Sequence, residues 1–130
     1  MAEILLDSNV VIAFMEDENS NHKSASLLLV DNENEFSISS LSMTECLVAA
    51  YRKGYEYALA SILRIQDLVV GILDLTSPIA ILAAKLGAEK NLLLADSVIL
   101  ATARYHQLQL WTFDRRLANK SRRITYLLAE

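Results

Sequence analysis

Cysteine occurs once in the 130 residues, as Cys46, so no intramolecular disulfide can form, in keeping with a reducing compartment. Its neighbours Leu47-Val48-Ala49-Ala50 are those of an inert, packed thiol. The two histidines, His22 and His106, and the lone cysteine make no set with the spacing of a zinc site. Proline also occurs once, and no linker, repeat or low-complexity run is present, so one domain over 1–130 is expected. No apolar run is long enough to span a bilayer, and no basic segment followed by an apolar one opens the chain. A cytoplasmic protein with no membrane partner is the expectation. Basic residues are outnumbered, 12 to 16, for a formal net charge of -4, which excludes a generically basic nucleic-acid binder.

What the chain does have is apolar content. Hydrophobic residues make up 53%, enough for a sizeable core and too much for a disordered chain. Its charge is uneven. Asp17, Glu18, Asp31, Glu33 and Glu35 make the early part acidic, and Arg115, Arg116, Lys120, Arg122 and Arg123 make the end basic. A basic patch of this kind on an acidic protein can hold a phosphate backbone, and an ordinary solvated surface accounts for it equally well.

Strands and helices are expected in alternation. Glu3 to Leu6 reads as a short buried strand, and Asp7-Ser8-Asn9 turns it into a helix. A second helix is expected from His22 through Val30, with Ala25, Leu28 and Leu29 as its apolar stripe, before Asn32-Glu33-Asn34 breaks the pattern. Phe36 to Ser39 alternates as a strand does, and a helix follows to about Arg52, with Gly54 suited to its end. Tyr55 to about Val70 is a further helix, with Leu59, Ile62, Leu63 and Gln66 at helical spacing, and Ile72 to Leu75 is a strand candidate. Ser77-Pro78 starts a helix through Leu86, with Gly87 near its end. A helix from Ala95 to His106, a strand from Leu108 to Thr112, a short helix at Asp114 to Ala118 and a last strand near Ile124 to Leu127 complete the chain. This alternation predicts an α/β fold, a mainly parallel central sheet flanked by helices.

The Ala95–His106 segment carries one carboxylate in an otherwise apolar run. Helical spacing puts Asp96 on one face with Ile99, Leu100 and Ala103, which belong in a core. Asp96 therefore points toward the interior or a cleft, unless it serves as a helix N-cap. Asp7 and Asp114 each follow a strand directly, and in parallel sheets binding sites lie outside the carboxyl ends of the strands. Glu45, early in the helix after the Phe36–Ser39 strand, can face the same edge. Each acid has a structural explanation. Asp7 and Asp114 suit N-caps, and Glu45 completes a Ser42-Met43-Thr44-Glu45 capping box. Capping does not require all of them at one end of one sheet. Clustered carboxylates repel, and a divalent cation offsets that charge. Oxygen ligands favour Mg2+ or Mn2+, which serve phosphodiester hydrolysis. Arg115 and Arg116, next to Asp114, are placed to hold a nucleic-acid backbone.

Four segments in order resemble the PIN-domain ribonucleases, specifically VapC-type toxins. They are Ile4-Leu5-Leu6-Asp7-Ser8-Asn9, Ser40-Leu41-Ser42-Met43-Thr44-Glu45, Leu94-Ala95-Asp96 through Thr102-Ala103, and Leu110-Trp111-Thr112-Phe113-Asp114. The resemblance implies a three-layer PIN-like fold with an acidic Mg2+ or Mn2+ site. It implies that Asp7, Glu45, Asp96 and Asp114 are catalytic and metal-binding, with Ser8 and Thr112 as supporting hydroxyls. It implies an RNA substrate, a cognate antitoxin and a homodimer. One departure is local: where the family has a glycine before the last strand, this chain has Tyr105-His106-Gln107. A second is the short C-terminal segment, which puts the edge strand in question. Two functions follow: a metal-dependent endoribonuclease acting as a toxin, or a PIN-like module that binds RNA or protein without cleaving.

Overall fold

Glu3–Leu6 forms β1, three of its four residues fully buried, as expected of a strand covered on both faces. In this computed structural model, which describes residues 2–30 and 33–127, β1 is the middle strand of the sheet. Asp31 and Asn32, counted above among the early acids and as a break between elements, lie outside the described residues. The chain continues through α1 (Ser8–Met15), α2 (His22–Leu29), β2 (Glu35–Ser39), α3 (Ser40–Lys53) and α4 (Tyr55–Leu68). Then come β3 (Gly71–Leu73), α5 (Ser77–Lys90), α6 (Leu94–Tyr105), β4 (Gln109–Thr112), α7 (Arg115–Ala118) and β5 (Ile124–Tyr126).

The five strands pair in parallel in the order β3-β2-β1-β4-β5. Sequence order reverses at β1, which pairs with β2 on one side and β4 on the other. A crevice at the carboxyl ends of the strands belongs at such a switch point. Alternate residues of β1 feed two cores. Leu5 packs with Leu110 and the buried run Val98–Ala101 under α5 and α6. Ile4 and Leu6 pack with Val10, Val11, Phe36, Ile38 and Ile65 under α1 to α4. This is a three-layer α/β sandwich with a parallel sheet at its centre.

Several local expectations are corrected. α5 does not end at Gly87 but runs on to Lys90, where Asn91 takes a left-handed φ of 52°. Gly87 stands inside the helix because α6 passes close by: a Cβ there would lie 2.7 Å from Ser97 Oγ. On α4, Leu59, Ile62, Leu63 and Gln66 stand at helical spacing as expected, but the buried face is another one. Ala58, Ser61 and Ile65 are buried, while Leu59 and Leu63 face out. Small residues let α4 approach its neighbours, so volume rather than hydropathy chose the face. In the turn before β4, where the family has a glycine, Gln107 adopts a φ of 58° and carries the left-handed position itself. The edge strand β5 is present despite the short C-terminal segment. Cys46 is buried, and burial pushes its thiol up to about 12, with Glu45 and Asp7 adding to the rise. It is inert, as its neighbours suggest.

Candidate functional site

The end of β1 and the start of α1 meet at Asp7. Its Oδ1 accepts from Ser8 N–H at 2.8 Å, which caps α1. Its Oδ2 accepts from Thr112 Oγ1 at 2.7 Å and from Asn9 Nδ2 at 3.2 Å. Thr112, at the end of β4 and fully buried, works in three directions. It donates to Asp7 and accepts from Asn9 Nδ2 at 3.2 Å and from Asp114 N–H at 3.0 Å. Asn9 Oδ1 in turn accepts from Phe113 N–H at 3.1 Å. These bonds tie the ends of β1 and β4 together and fix the Asp7 carboxylate in one orientation.

Asp114 caps α7, with Oδ1 accepting from Arg116 N–H at 2.9 Å and Leu117 N–H at 3.3 Å. Its Oδ2 faces the cleft, 3.6 Å from Arg116 Nη2. The same guanidinium nitrogen meets Asp96 Oδ2 at 2.9 Å. Asp96 is not the cap of α6. Leu93 holds that position, and no side chain caps it. Asp96 instead rises from the first turn, ahead of the buried residues Ser97 to Ala103. The capping box expected at Glu45 is also absent. Ser39 caps α3, accepting from Ser42 N–H at 2.9 Å, so Glu45 lies beyond the first turn and is exposed.

Asp7, Ser8, Asn9, Ser42, Glu45, Asp96 and Asp114 line one cleft of about 170 Å³, together with Ala95 and Ile99. All four acids singled out in the sequence therefore face a common space at the carboxyl edge of the sheet. Asp7 is only 9% exposed. Burial raises its carboxyl to about 6, and the negative charges of Asp96 and Glu45 add to the rise. Hydrogen bonds from Thr112 and Ser8 pull the other way and do not prevail. The cleft thus carries more negative charge than it can comfortably ionise, and Arg116 answers part of it.

No thiol or imidazole lines this cleft, so its donors are oxygens suited to a hard cation. In this conformation no three or more of the described His, Cys, Asp and Glu side chains are arranged to hold a metal ion. The bond from Arg116 to Asp96 and its approach to Asp114 keep a guanidinium on two of the carboxylates that would hold such an ion. Donor chemistry and charge fit a divalent cation, and Arg116 occupies two of the carboxylates.

Two residues of the site were not singled out in the sequence. Asn9 binds both Asp7 and Thr112, and its signal was the Asp7-Ser8-Asn9 run after β1. Ser42 lines the cleft, placed there by the Ser39 cap, to whose hydroxyl its own is bonded at 2.9 Å. Of the two arginines expected to hold phosphate, Arg116 lies on the acids and Arg115 lies over the Tyr126 ring at 5.2 Å.

Comparison with known proteins gives one family and one fold. The family model that matches is that of the PIN domain, over residues 4–123. Similar solved structures include a toxin–antitoxin complex from Klebsiella pneumoniae, 24% identical with a TM-score of 0.81 over 96% of this chain and 99% of that one. VapC20 of Mycobacterium tuberculosis, described as a sarcin–ricin-loop-cleaving toxin, is 19% identical with a TM-score of 0.76, over 89% and 93%. FitAcB of Neisseria gonorrhoeae is 22% identical with a TM-score of 0.73, over 97% of each chain. At these identities the likeness establishes the fold. No curated protein matches.

Proposed function

This chain belongs to the PIN domain family, and on that premise we propose that it is a metal-dependent endoribonuclease, the toxin of a toxin–antitoxin pair. The observation that carries the reading is the convergence of Asp7, Glu45, Asp96 and Asp114 on one cleft where Asp7 is buried. Capping explains Asp7 and Asp114 as helix starts, but it explains neither Glu45 nor Asp96. A protein that only binds has no use for four carboxylates that raise one another's charging cost. Among the structural neighbours, the toxin–antitoxin complex and the loop-cleaving toxin support the same reading.

The four acids would hold Mg2+ or Mn2+. When bound, such an ion activates water and offsets charge on a phosphate undergoing displacement. The chain's own residues prepare for this. Thr112, Asn9 and Ser8 hold Asp7 in place, so the carboxylate pays no ordering cost when a cation arrives. Arg116 balances Asp96 and Asp114 beforehand and, once displaced, is positioned to meet a substrate phosphate. Arg115 flanks it for the same backbone. A cognate antitoxin and a homodimer belong to this proposal.

A non-cleaving module is the second reading, favoured by one observation: Arg116 already supplies a positive charge where an ion is expected. Purified protein incubated with a mixed RNA pool separates the two. Cleavage with Mg2+ or Mn2+, abolished by EDTA, is the expected result. No cleavage with either ion supports the second reading, and full cleavage in EDTA contradicts metal dependence.

A further inference from the structure

The densest basic region lies away from the cleft. Lys90 closes α5, Arg104 stands in the last turn of α6, and Lys120, Arg122 and Arg123 occupy the turn before β5. All five line one groove of about 680 Å³, and no Asp or Glu lines it. Because the strands are parallel, Arg122 and Arg123, just before β5, and Arg104, at the end of the helix that leads into β4, sit toward the amino edge of the sheet, while Lys90 stands at the turn between α5 and α6. The acidic cleft sits at the carboxyl edge.

The groove is built rather than incidental. Lys90 Nζ donates to the Lys120 carbonyl at 2.9 Å, and Lys120 Nζ donates to the Lys90 carbonyl at 3.3 Å. This exchange brings two ammonium groups to one spot with no carboxylate between them. Arg104 Nη2 reaches Ser121 Oγ at 3.5 Å, and the same hydroxyl accepts from Arg123 N–H at 3.3 Å. Among the described residues none of the five cations is in an ion pair. Helix carboxyl ends favour a cation, which accounts for Lys90 and Arg104. It does not account for Lys120, Arg122 and Arg123. In a chain of net charge -4, gathering five unpaired cations is unfavourable unless an anion meets them.

Five charges spread over two helix ends and a turn suit an extended anion better than a single phosphate. Arg104 is followed by exposed Tyr105 and His106, whose rings meet edge to face with centroids 5.2 Å apart. The rings do not line the groove but adjoin Arg104, which does, and basic charge with exposed rings is the pattern that holds single strands, by backbone charge and base stacking together. We propose that this groove binds the phosphate backbone of single-stranded RNA, as a second contact outside the cleft. The choice of RNA rests on the nuclease reading. The short helix α7 leads from Asp114 in the cleft to Ala118 in the groove, so one strand of RNA can touch both.

The test is fluorescence anisotropy of a labelled oligouridylate with the full chain in EDTA, across a salt series. Cleavage is silent there, so failure of the nuclease reading leaves the measurement intact. The variant Lys90→Gln/Arg122→Gln/Arg123→Gln is expected to bind on the order of tenfold more weakly. Its salt slope should fall by about 2, given roughly 0.7 per lost contact on a single strand. Tyr105→Ala, which leaves every charge in place, should weaken binding about fivefold or more by loss of stacking. Unchanged affinity and slope in the triple variant, shown to be folded by its melting curve, would overturn the proposal. Loss of duplex DNA binding with RNA binding unchanged would overturn the choice of RNA.

Discussion

Asp7 is the residue on which chemistry and stability meet. Its carboxyl is raised to about 6 from an ordinary 3.8, chiefly by burial. Between those values the folded chain holds a proton that the unfolded chain has lost. The contribution of Asp7 to stability without metal is therefore full below about pH 4 and is lost as pH rises through about 6, by at most about 3 kcal/mol. Urea unfolding in EDTA at a series of pH values checks the sign, and a flat profile over that window would contradict the burial of Asp7. The proposed affinity for Mn2+ runs the other way, rising as Asp7 ionises. Arg116 supplies a second residue-scale prediction. It competes with a cation for Asp96 and Asp114, so Arg116→Gln should bind Mn2+ several-fold more tightly by calorimetry. If Arg116 instead assists the ion, the variant binds more weakly.

At the scale of elements, α5 and α6 touch through Gly87 and Ser97. Gly87→Ala gains up to ~1 kcal/mol of helix propensity but puts a methyl group against Ser97 Oγ, which is bonded to the Leu93 carbonyl at 3.0 Å. The single change should therefore be neutral or destabilising, whereas Gly87→Ala with Ser97→Ala should exceed the sum of the two singles. Melting temperatures of the four proteins measure that coupling, and strict additivity would mean that the helices do not meet there. Packing of this kind also marks where sequence reading stops. Alternation of apolar runs revealed nearly every element, because strands covered on both faces leave a visible signal. The buried face of α4 is not legible in the sequence, because Leu59 and Leu63 look like core while Ala58 and Ser61 do the packing. Gly87 looked like a helix end because a sequence does not show the neighbouring helix. Asp7, Glu45 and Asp114 were legible from their places after strands, and Asp96 from the apolar helix face it shares. The cap at Ser39 and the turn of Arg116 onto Asp96 were not, since both depend on exact register.

At the scale of the molecule, the sheet separates two cores, and α7 leads from an acidic cleft at Asp114 to a basic groove at Ala118. Apolar side chains remain outside. Tyr55, Leu59 and Leu63 follow one another along α4, and Ile81, Leu93 and Leu94 are exposed around α5 and α6. Patches of this kind belong to interfaces in proteins that associate. A homodimer is expected by light scattering, and a monomer at high concentration would contradict it. If the protein is a toxin, unopposed expression should arrest growth, and normal growth would count against that role.

If the four carboxylates form one cation-dependent centre, Asp96→Asn removes a member of it without removing a cap. Asp96 caps nothing, and its pair with Arg116 is partly exposed, so the change should alter stability in EDTA by no more than about 1 kcal/mol. The measurement is RNA cleavage by the folded variant beside the parent at saturating Mn2+. Cleavage by the parent and none above background by Asp96→Asn is the expected result. Near-parental cleavage by the variant would contradict it.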